Sequence, residues 1–105
     1  MIQFPESDWK LFRKKIPGWQ EDYMNRLCED YVKLLTSDRS GADRFWDIEK
    51  RKKNDQKKTG VIADMRRSQL VYNLVNLVSE GVIRLDDLND FSEELQGAVR
   101  MIGRF

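Results

Sequence analysis

The apolar residues of this chain recur at helical spacing from the first turn onward. Trp9, Phe12 and Ile16 share one face of a helix predicted from about Ser7 to Lys15, with Ser7 as its N-cap. Pro17 lacks a backbone N–H and clashes with the preceding turn, so we expect it to end this helix and to begin the next. The pattern therefore predicts a helix–corner–helix at residues 16–18.

The next helix, predicted over residues 18–36, has the clearest apolar stripe in the chain. The stripe repeats every four residues at Trp19, Tyr23, Leu27 and Tyr31, with Met24, Cys28, Val32 and Leu35 beside it. The other side is charged or polar, as in an amphipathic helix that buries one face. We therefore expect the whole stripe to lie in the core, including Cys28, because a free cysteine there behaves as a small hydrophobe.

A third helix is predicted to start near Ala42, with Phe45, Trp46 and Ile48 as its apolar side. The apolar stripe stops at Ile48, and EKRKKNDQKK follows at residues 49–58. That stretch contains good helix formers but nothing to bury, so residues 49–60 are expected to form a basic helical arm that projects from the body or lies over it through the stems of its lysines. VIADM, at residues 61–65, fits either a short extended piece or an early helical turn.

The last third of the chain predicts the centre of the fold. Residues 69–80 have the broadest apolar face, and Gly81 is placed to end that helix in a left-handed conformation. A helical turn follows at LDDLNDF with Asp86 as its cap, and Ser92 caps a final helix whose stripe is Leu95, Ala98, Val99 and Ile102. The predicted fold is all-α, a compact bundle of four to five helices that forms a single domain over residues 1–105.

Composition limits the class of protein further. With 40% hydrophobic and 35% charged residues, the chain suits a globular helical protein rather than a disordered one. No apolar run approaches the roughly 20 residues that cross a bilayer. The N-terminal MIQFPESDWK lacks the basic flank and apolar stretch of a secretory signal, so the expected location is cytoplasmic.

The chain contains no histidine and a single cysteine, Cys28. These counts remove the usual general base near neutral pH, the commonest transition-metal ligand and any internal disulfide. The acidic stretch 86–94 does not match a calcium loop, because the third position counted from Asp86 is Leu88 and the sixth is Phe91. We therefore expect a non-enzymatic protein with no catalytic residue, cofactor, metal site or small-molecule substrate.

Charge is distributed unevenly along the chain. From Lys50 to Arg67 there are eight basic and two acidic residues, a local charge of +6, whereas the last 38 residues carry six acidic and three basic residues, or −3. Such asymmetry often marks a surface that binds a partner. The candidate binding residues are Lys50, Arg51, Lys53, Lys57, Lys58, Arg66 and Arg67.

Three interpretations of this basic segment remain open: a solvated helix, a surface for an acidic protein, or a nucleic-acid site. Against nucleic acid stand the overall charge of only +1 and the lack of aromatic residues among the lysines. We expect a small cytoplasmic accessory protein that presents charged helical surfaces to a protein partner or to a second copy of itself. Nucleic-acid binding through Lys50–Arg67 is the alternative.

Two stretches of the sequence carry a resemblance. FPESDWKLFRKKI and GVIRLDDLNDFSEELQGAV resemble a group of small uncharacterised helical proteins of gut Firmicutes, which share a WKxFRKKI opening and a GVIxLDDLxDFSxEL close. Some members of that group are catalogued as multidrug transporters. A transporter needs membrane spans that this sequence lacks, so the resemblance implies no function for this chain.

Overall fold

The computed structural model describes residues 3–105, which form four α-helices. They are α1 (Glu6–Leu35), α2 (Gly41–Asp55), α3 (Leu70–Ser79) and α4 (Glu93–Gly103), with 3₁₀ turns at Arg67–Gln69 and Leu85–Leu88. No strand occurs within this range, and residues 62–66 have no regular secondary structure, so the possible extended piece is not part of a sheet. The predicted all-α class and helical bundle are confirmed.

The core forms where α3 and α4 pack against the first half of α1. α3 is its centre, because Leu70, Leu74 and Leu77 are fully buried along one side of that helix. Each such side chain contributes about 1.5–3 kcal/mol when it leaves water. The other buried apolar residues of this core are Phe12, Ile16, Val71, Val82, Ile83, Leu88, Phe91, Leu95, Ala98 and Val99. The predicted central helix and the burial of Leu95, Ala98 and Val99 on the final helix are therefore confirmed.

A single helix runs through Pro17, so the corner predicted at residues 16–18 is wrong. Proline inside a helix costs about 3 kcal/mol, because one hydrogen bond is lost and the ring crowds the preceding turn. The helix is continuous because apolar side chains on both sides of the proline pack against the same core. These are Phe12 and Ile16 before it, and Trp19 and Tyr23 after it.

The first turn of α1 is fastened to the first turn of α4. α1 begins at Glu6, so Ser7 lies inside the helix and is not its cap as predicted. The Asp8 carboxylate, only 3% exposed, accepts hydrogen bonds from the backbone N–H of Ser92 at 2.9 Å and from its hydroxyl. The Ser92 hydroxyl oxygen accepts from the backbone N–H of Leu95, which confirms the predicted cap of α4.

The acidic residues that follow α3 bind groups within the chain. Asp87, rather than Asp86 as predicted, accepts the backbone N–H of Arg84 at 2.8 Å. Asp90 pairs with Lys15 at 3.2 Å, which ties this stretch to α1. Over residues 3–105, no group of three or more acidic or thiol side chains is arranged to hold a metal ion.

The connection between α2 and α3 folds back onto the body. α2 ends at Asp55, and the backbone N–H groups of Thr59 and Gly60 donate to the Glu80 carboxylate at 3.0 and 3.1 Å. From α1, the Gln20 amide donates to the Thr59 carbonyl at 3.1 Å. The basic arm predicted at 49–60 therefore does not project freely, because its last residues are held against α1 and α3.

Candidate functional site

Beyond the core, the second half of α1 and all of α2 form an antiparallel helical hairpin. Contacts join Asp30 to Arg51 and Leu35 to Arg44, so residue numbers that rise along α1 fall along α2. The turn between the helices is closed by the Arg44 guanidinium, which donates to the backbone carbonyls of Arg39 and Leu35 at 3.0 and 2.6 Å. The two helices therefore have a fixed alignment, and hydrogen bonds hold the turn that joins them.

One face of the hairpin is occupied by its own charges. The Asp30 carboxylate lies 3.9 Å from the Arg51 guanidinium, and Arg39 contacts Asp47 at 2.5 Å. The Arg51 guanidinium also lies 5.6 Å from the centroid of the Tyr31 ring. Exposed ion pairs of this kind contribute about 0–1 kcal/mol each. These contacts nevertheless give the charged groups of this face partners within the chain.

The opposite face is apolar and unfilled. It contains a cavity of about 190 Å³ lined by Met24, Leu27, Cys28, Tyr31, Lys52, Asp55, Gln56 and Val61. Leu35 follows Cys28 by two helical turns and Phe45 precedes Lys52 by two turns, so each lies on the cavity side of its helix. The cavity residues together with Leu35 and Phe45 are called the open face.

Large apolar side chains on the open face and beside it are exposed to solvent. Phe45 and Trp46 are each 62% exposed, Val32 is 59% exposed and Leu35 is 44% exposed. The rings of Phe45 and Trp46 meet edge to face, with their centroids 5.1 Å apart. Large exposed apolar side chains gathered around a cavity are typical of a site that another molecule covers.

These exposures correct the predicted burial of two helical stripes. Of the stripe predicted on residues 18–36, Leu27 is the one buried residue, at 9% exposure, and Cys28 is exposed. Phe45 and Trp46, expected to supply the apolar side of the third helix, contribute nothing to the core. The reason is that α2 covers only one side of the second half of α1, while α3 and α4 pack against the first half.

Tyr31 and Asp55 join the two helices beside the cavity. The Tyr31 hydroxyl donates to the Asp55 carboxylate at 2.6 Å. Asp55 is 9% exposed and is the last residue of α2. The helix dipole disfavours a negative charge at this end of a helix, and the hydrogen bond from Tyr31 offsets that cost. Burial, with a further contribution from the hydrogen bond to Asp55, raises the pKa of Tyr31 to about 12. At neutral pH the phenol is therefore a fixed donor that holds α2 to α1.

Spectrophotometric titration of the phenols should detect this bond. The folded-state pKa of Tyr31 lies above the ordinary value of 10.0, so the stability it contributes is complete below pH 10 and is lost as the pH rises toward about 12. In Tyr31→Phe, the absorbance step of highest pKa should disappear. The step of Tyr23, whose pKa burial also raises, should remain. Loss of a step near pH 10 instead would contradict the Tyr31–Asp55 bond.

The structure separates the candidate basic residues toward opposite ends of α1. Arg51 lies near Asp30, whereas Arg67 donates to Glu6 at 2.9 Å and places its guanidinium 4.5 Å from the centroid of the Phe4 ring. Glu6 and Asp30 are 24 residues apart in one helix, roughly 36 Å along its axis. The basic segment is therefore not one continuous surface.

Several of these basic residues are paired within the chain. Lys53 contacts Glu49 at 2.9 Å, and the Arg66 guanidinium holds the pKa of Asp64 below its usual value. α2 ends at Asp55, so the ridge that a longer helix would have formed stops there. Within residues 3–105, the candidates without an ion pair are Lys50, Lys57 and Lys58. A binding role for the segment stays a prediction.

Two acidic residues that hold α2 and the segment after it in place were not identified from the sequence. Asp55 is the last residue of α2 and Glu80 directly follows α3, and a carboxylate at either position opposes the helix dipole. That unfavourable placement is the signal that each carboxylate has a partner elsewhere. The partners themselves, the Tyr31 hydroxyl and the backbone of Thr59 and Gly60, are set by tertiary contacts.

No protein-family model, curated protein or solved structure matches this chain significantly. The resemblance of its two terminal stretches to small helical proteins of gut Firmicutes stays a prediction. Within residues 3–105, no helix combines the length and the apolar character needed to cross a membrane.

Proposed function

We propose that this chain is a non-enzymatic cytoplasmic accessory protein that docks a protein partner on the open face of its α1–α2 hairpin. The observation that carries the proposal is the exposure of Val32, Leu35, Phe45 and Trp46 around an unfilled cavity. Covering apolar surface yields about 25 cal/mol for each Å² removed from water. Aromatic residues also supply much of the binding energy in protein interfaces, which gives Phe45 and Trp46 the role of anchors.

The shape of the open face favours a helical partner. Two antiparallel helices with a groove between them accept the apolar stripe of a third helix, with anchors spaced by three, four and seven residues. On α2, Lys50 and Lys53 follow Trp46 by four and seven residues, so they lie on the same outer side. Acidic residues on the part of the partner that faces α2 would complement them and fix the partner's orientation.

A photoreactive amino acid placed at Leu35 or Phe45 tests this proposal directly. Each version should capture one defined protein from the cytosol of the native host, and an excess of unlabelled wild-type chain should compete with that capture. Met101 is the matched control position, because it is 70% exposed but lies on α4. Equal capture at Met101, or no capture at Leu35 and Phe45, would contradict docking on the open face.

Nucleic-acid binding keeps one structural observation in its favour. Trp46 is exposed one turn before Lys50, which supplies the stacking surface that the sequence pattern lacked. The separation of the basic residues along α1 counts against a continuous phosphate-binding track. Titration with short duplex and single-stranded probes at about 50 mM salt decides between the two functions. Binding that falls steeply with salt and disappears when Lys50, Lys53 and Lys57 are changed to Glu would support nucleic acid.

A further inference from the structure

We infer that the molecule covering the open face is a second copy of this chain, so that two hairpins pair into a four-helix bundle. The inference rests on the docking role proposed above. Its first support is that the hairpin lacks a core of its own. Within residues 3–105, the core cluster includes no residue of α2 and none of α1 beyond Tyr23, and the one buried apolar residue in the rest of the hairpin is Leu27. Two helices that expose an apolar stripe on one side are half of a four-helix bundle.

The overall dimensions agree with a hairpin that extends away from the core. The chain measures 52 × 23 × 23 Å and has a radius of gyration of 16.4 Å. A compact domain of this length is expected to have a radius of gyration of about 13 Å. The excess length lies in the hairpin, whose apolar side chains Val32, Leu35, Phe45 and Trp46 stay exposed in a single copy, because the core forms around α3, α4 and the first half of α1.

The two edges of the open face carry opposite charges. On α1, Glu21 and Glu29 precede Val32 by eleven and three residues, which places all three on the outer edge of that helix. The corresponding edge of α2 carries Trp46, Lys50 and Lys53, together with Glu49, which pairs with Lys53 at 2.9 Å. All of these side chains are exposed except Glu49, which is half-buried. The α1 edge is therefore acidic, whereas the α2 edge keeps a net positive charge.

This distribution of charge favours a second copy of the chain over an acidic helix from another protein. Residues 21–35 carry four acidic and two basic side chains, whereas residues 41–58 carry four acidic and seven basic ones. A two-fold interface that sets α1 of each copy against α2 of the other pairs these opposite charges twice. A foreign helix with an acidic flank would match the α2 edge but would meet like charge along α1.

The pairing defines a specific geometry. The two-fold axis runs along the hairpins and both tips lie at the same end, because only then does each α1 face the α2 of the other copy. Val32 of one copy then lies near Trp46 of the other, and the two cavities face each other. Cys28, which is exposed in the single copy and lines the cavity, becomes covered.

Sedimentation over a concentration series measures the association. The mass should rise from the 12.5 kDa of one chain to twice that value, and alkylation of the Cys28 thiol should slow in parallel. The double variant Leu35→Glu/Phe45→Glu should weaken association roughly 100-fold or more, because charge enters the centre of the apolar contact. Both positions are exposed, so the variant should keep its helical circular dichroism. Met101→Glu is the control and should associate like wild type.

A charge swap tests the pairing of α1 with α2. Glu21→Lys/Glu29→Lys and Lys50→Glu/Lys53→Glu should each associate poorly alone, whereas an equal mixture should form a mixed dimer. If the measured mass stays that of one chain at every concentration, the inference that a second copy covers the open face is wrong. The proposed docking function would survive that result if photo-crosslinking at Phe45 still captured another protein. A dimer that persists in Leu35→Glu/Phe45→Glu, or swap variants that associate alone as well as mixed, would also overturn the inference.

Discussion

Gly60→Ala is expected to lower the free energy of unfolding by about 2–3 kcal/mol, a large loss for one methyl group. A Cβ atom at this position would lie 2.4 Å from Cδ2 of Tyr23 and 2.6 Å from Cγ2 of Val82. Neither neighbour can withdraw easily, because Val82 is buried and the Tyr23 ring packs against the core. The backbone of Gly60 is not left-handed, so lack of space rather than strain explains the glycine.

Chemical denaturation measures this effect, and Gly18→Ala is its control. A Cβ at Gly18 would meet nothing within 4 Å, and the residue lies inside α1. Alanine there should raise stability by about 0.5–1 kcal/mol, because it loses less conformational freedom on folding than glycine does. Equal stabilities for the two variants would show that the α2–α3 connection is not packed against Tyr23 as described.

Glu80→Gln should cost about 2–3 kcal/mol by removing a charged acceptor from two buried backbone donors. The carboxylate accepts from the N–H groups of Thr59 and Gly60 with one oxygen each. Glutamine keeps the shape but offers a single oxygen, so one N–H must face the amide NH₂ group. Thr59 is only 7% exposed, which leaves little water to take over the lost bond.

Asp22→Asn is the matched control for this charge-removing change. Asp22 is exposed on α1, and its substitution should alter stability by no more than about 0.5 kcal/mol. Gly60→Ala and Glu80→Gln should combine to less than the sum of their separate effects, because both loosen the same connection. Additive losses would mean that Glu80 stabilises α3 alone and does not hold residues 59–60.

The sequence predicted the body of this protein well. Apolar spacing located α3 and α4, Ser92 caps α4 as expected, and Gly81 has the left-handed φ of 74° that its place after α3 suggested. These features depend on neighbours a few residues apart, so local patterns and capping rules are sufficient to find them.

The same reasoning failed along α1 and α2. A corner at Pro17 was expected because the proline penalty is local, but the packing of Phe12, Ile16, Trp19 and Tyr23 on one core outweighs it. The apolar spacing of Phe45 and Trp46 indicated burial, yet both are mostly exposed. A helical stripe shows that one side of a helix is apolar, but it does not show whether the chain has an element to cover that side.

The amino-acid order alone determined that the chain is helical, where its final helices lie, and that basic residues concentrate between positions 50 and 67. Only tertiary structure decided that this basic stretch divides between two ends of α1, and that an apolar face of the hairpin stays uncovered. The physical reason is that helix formation and capping act within one or two turns. Burial depends instead on which surfaces meet in space, and α2 reaches just one side of α1.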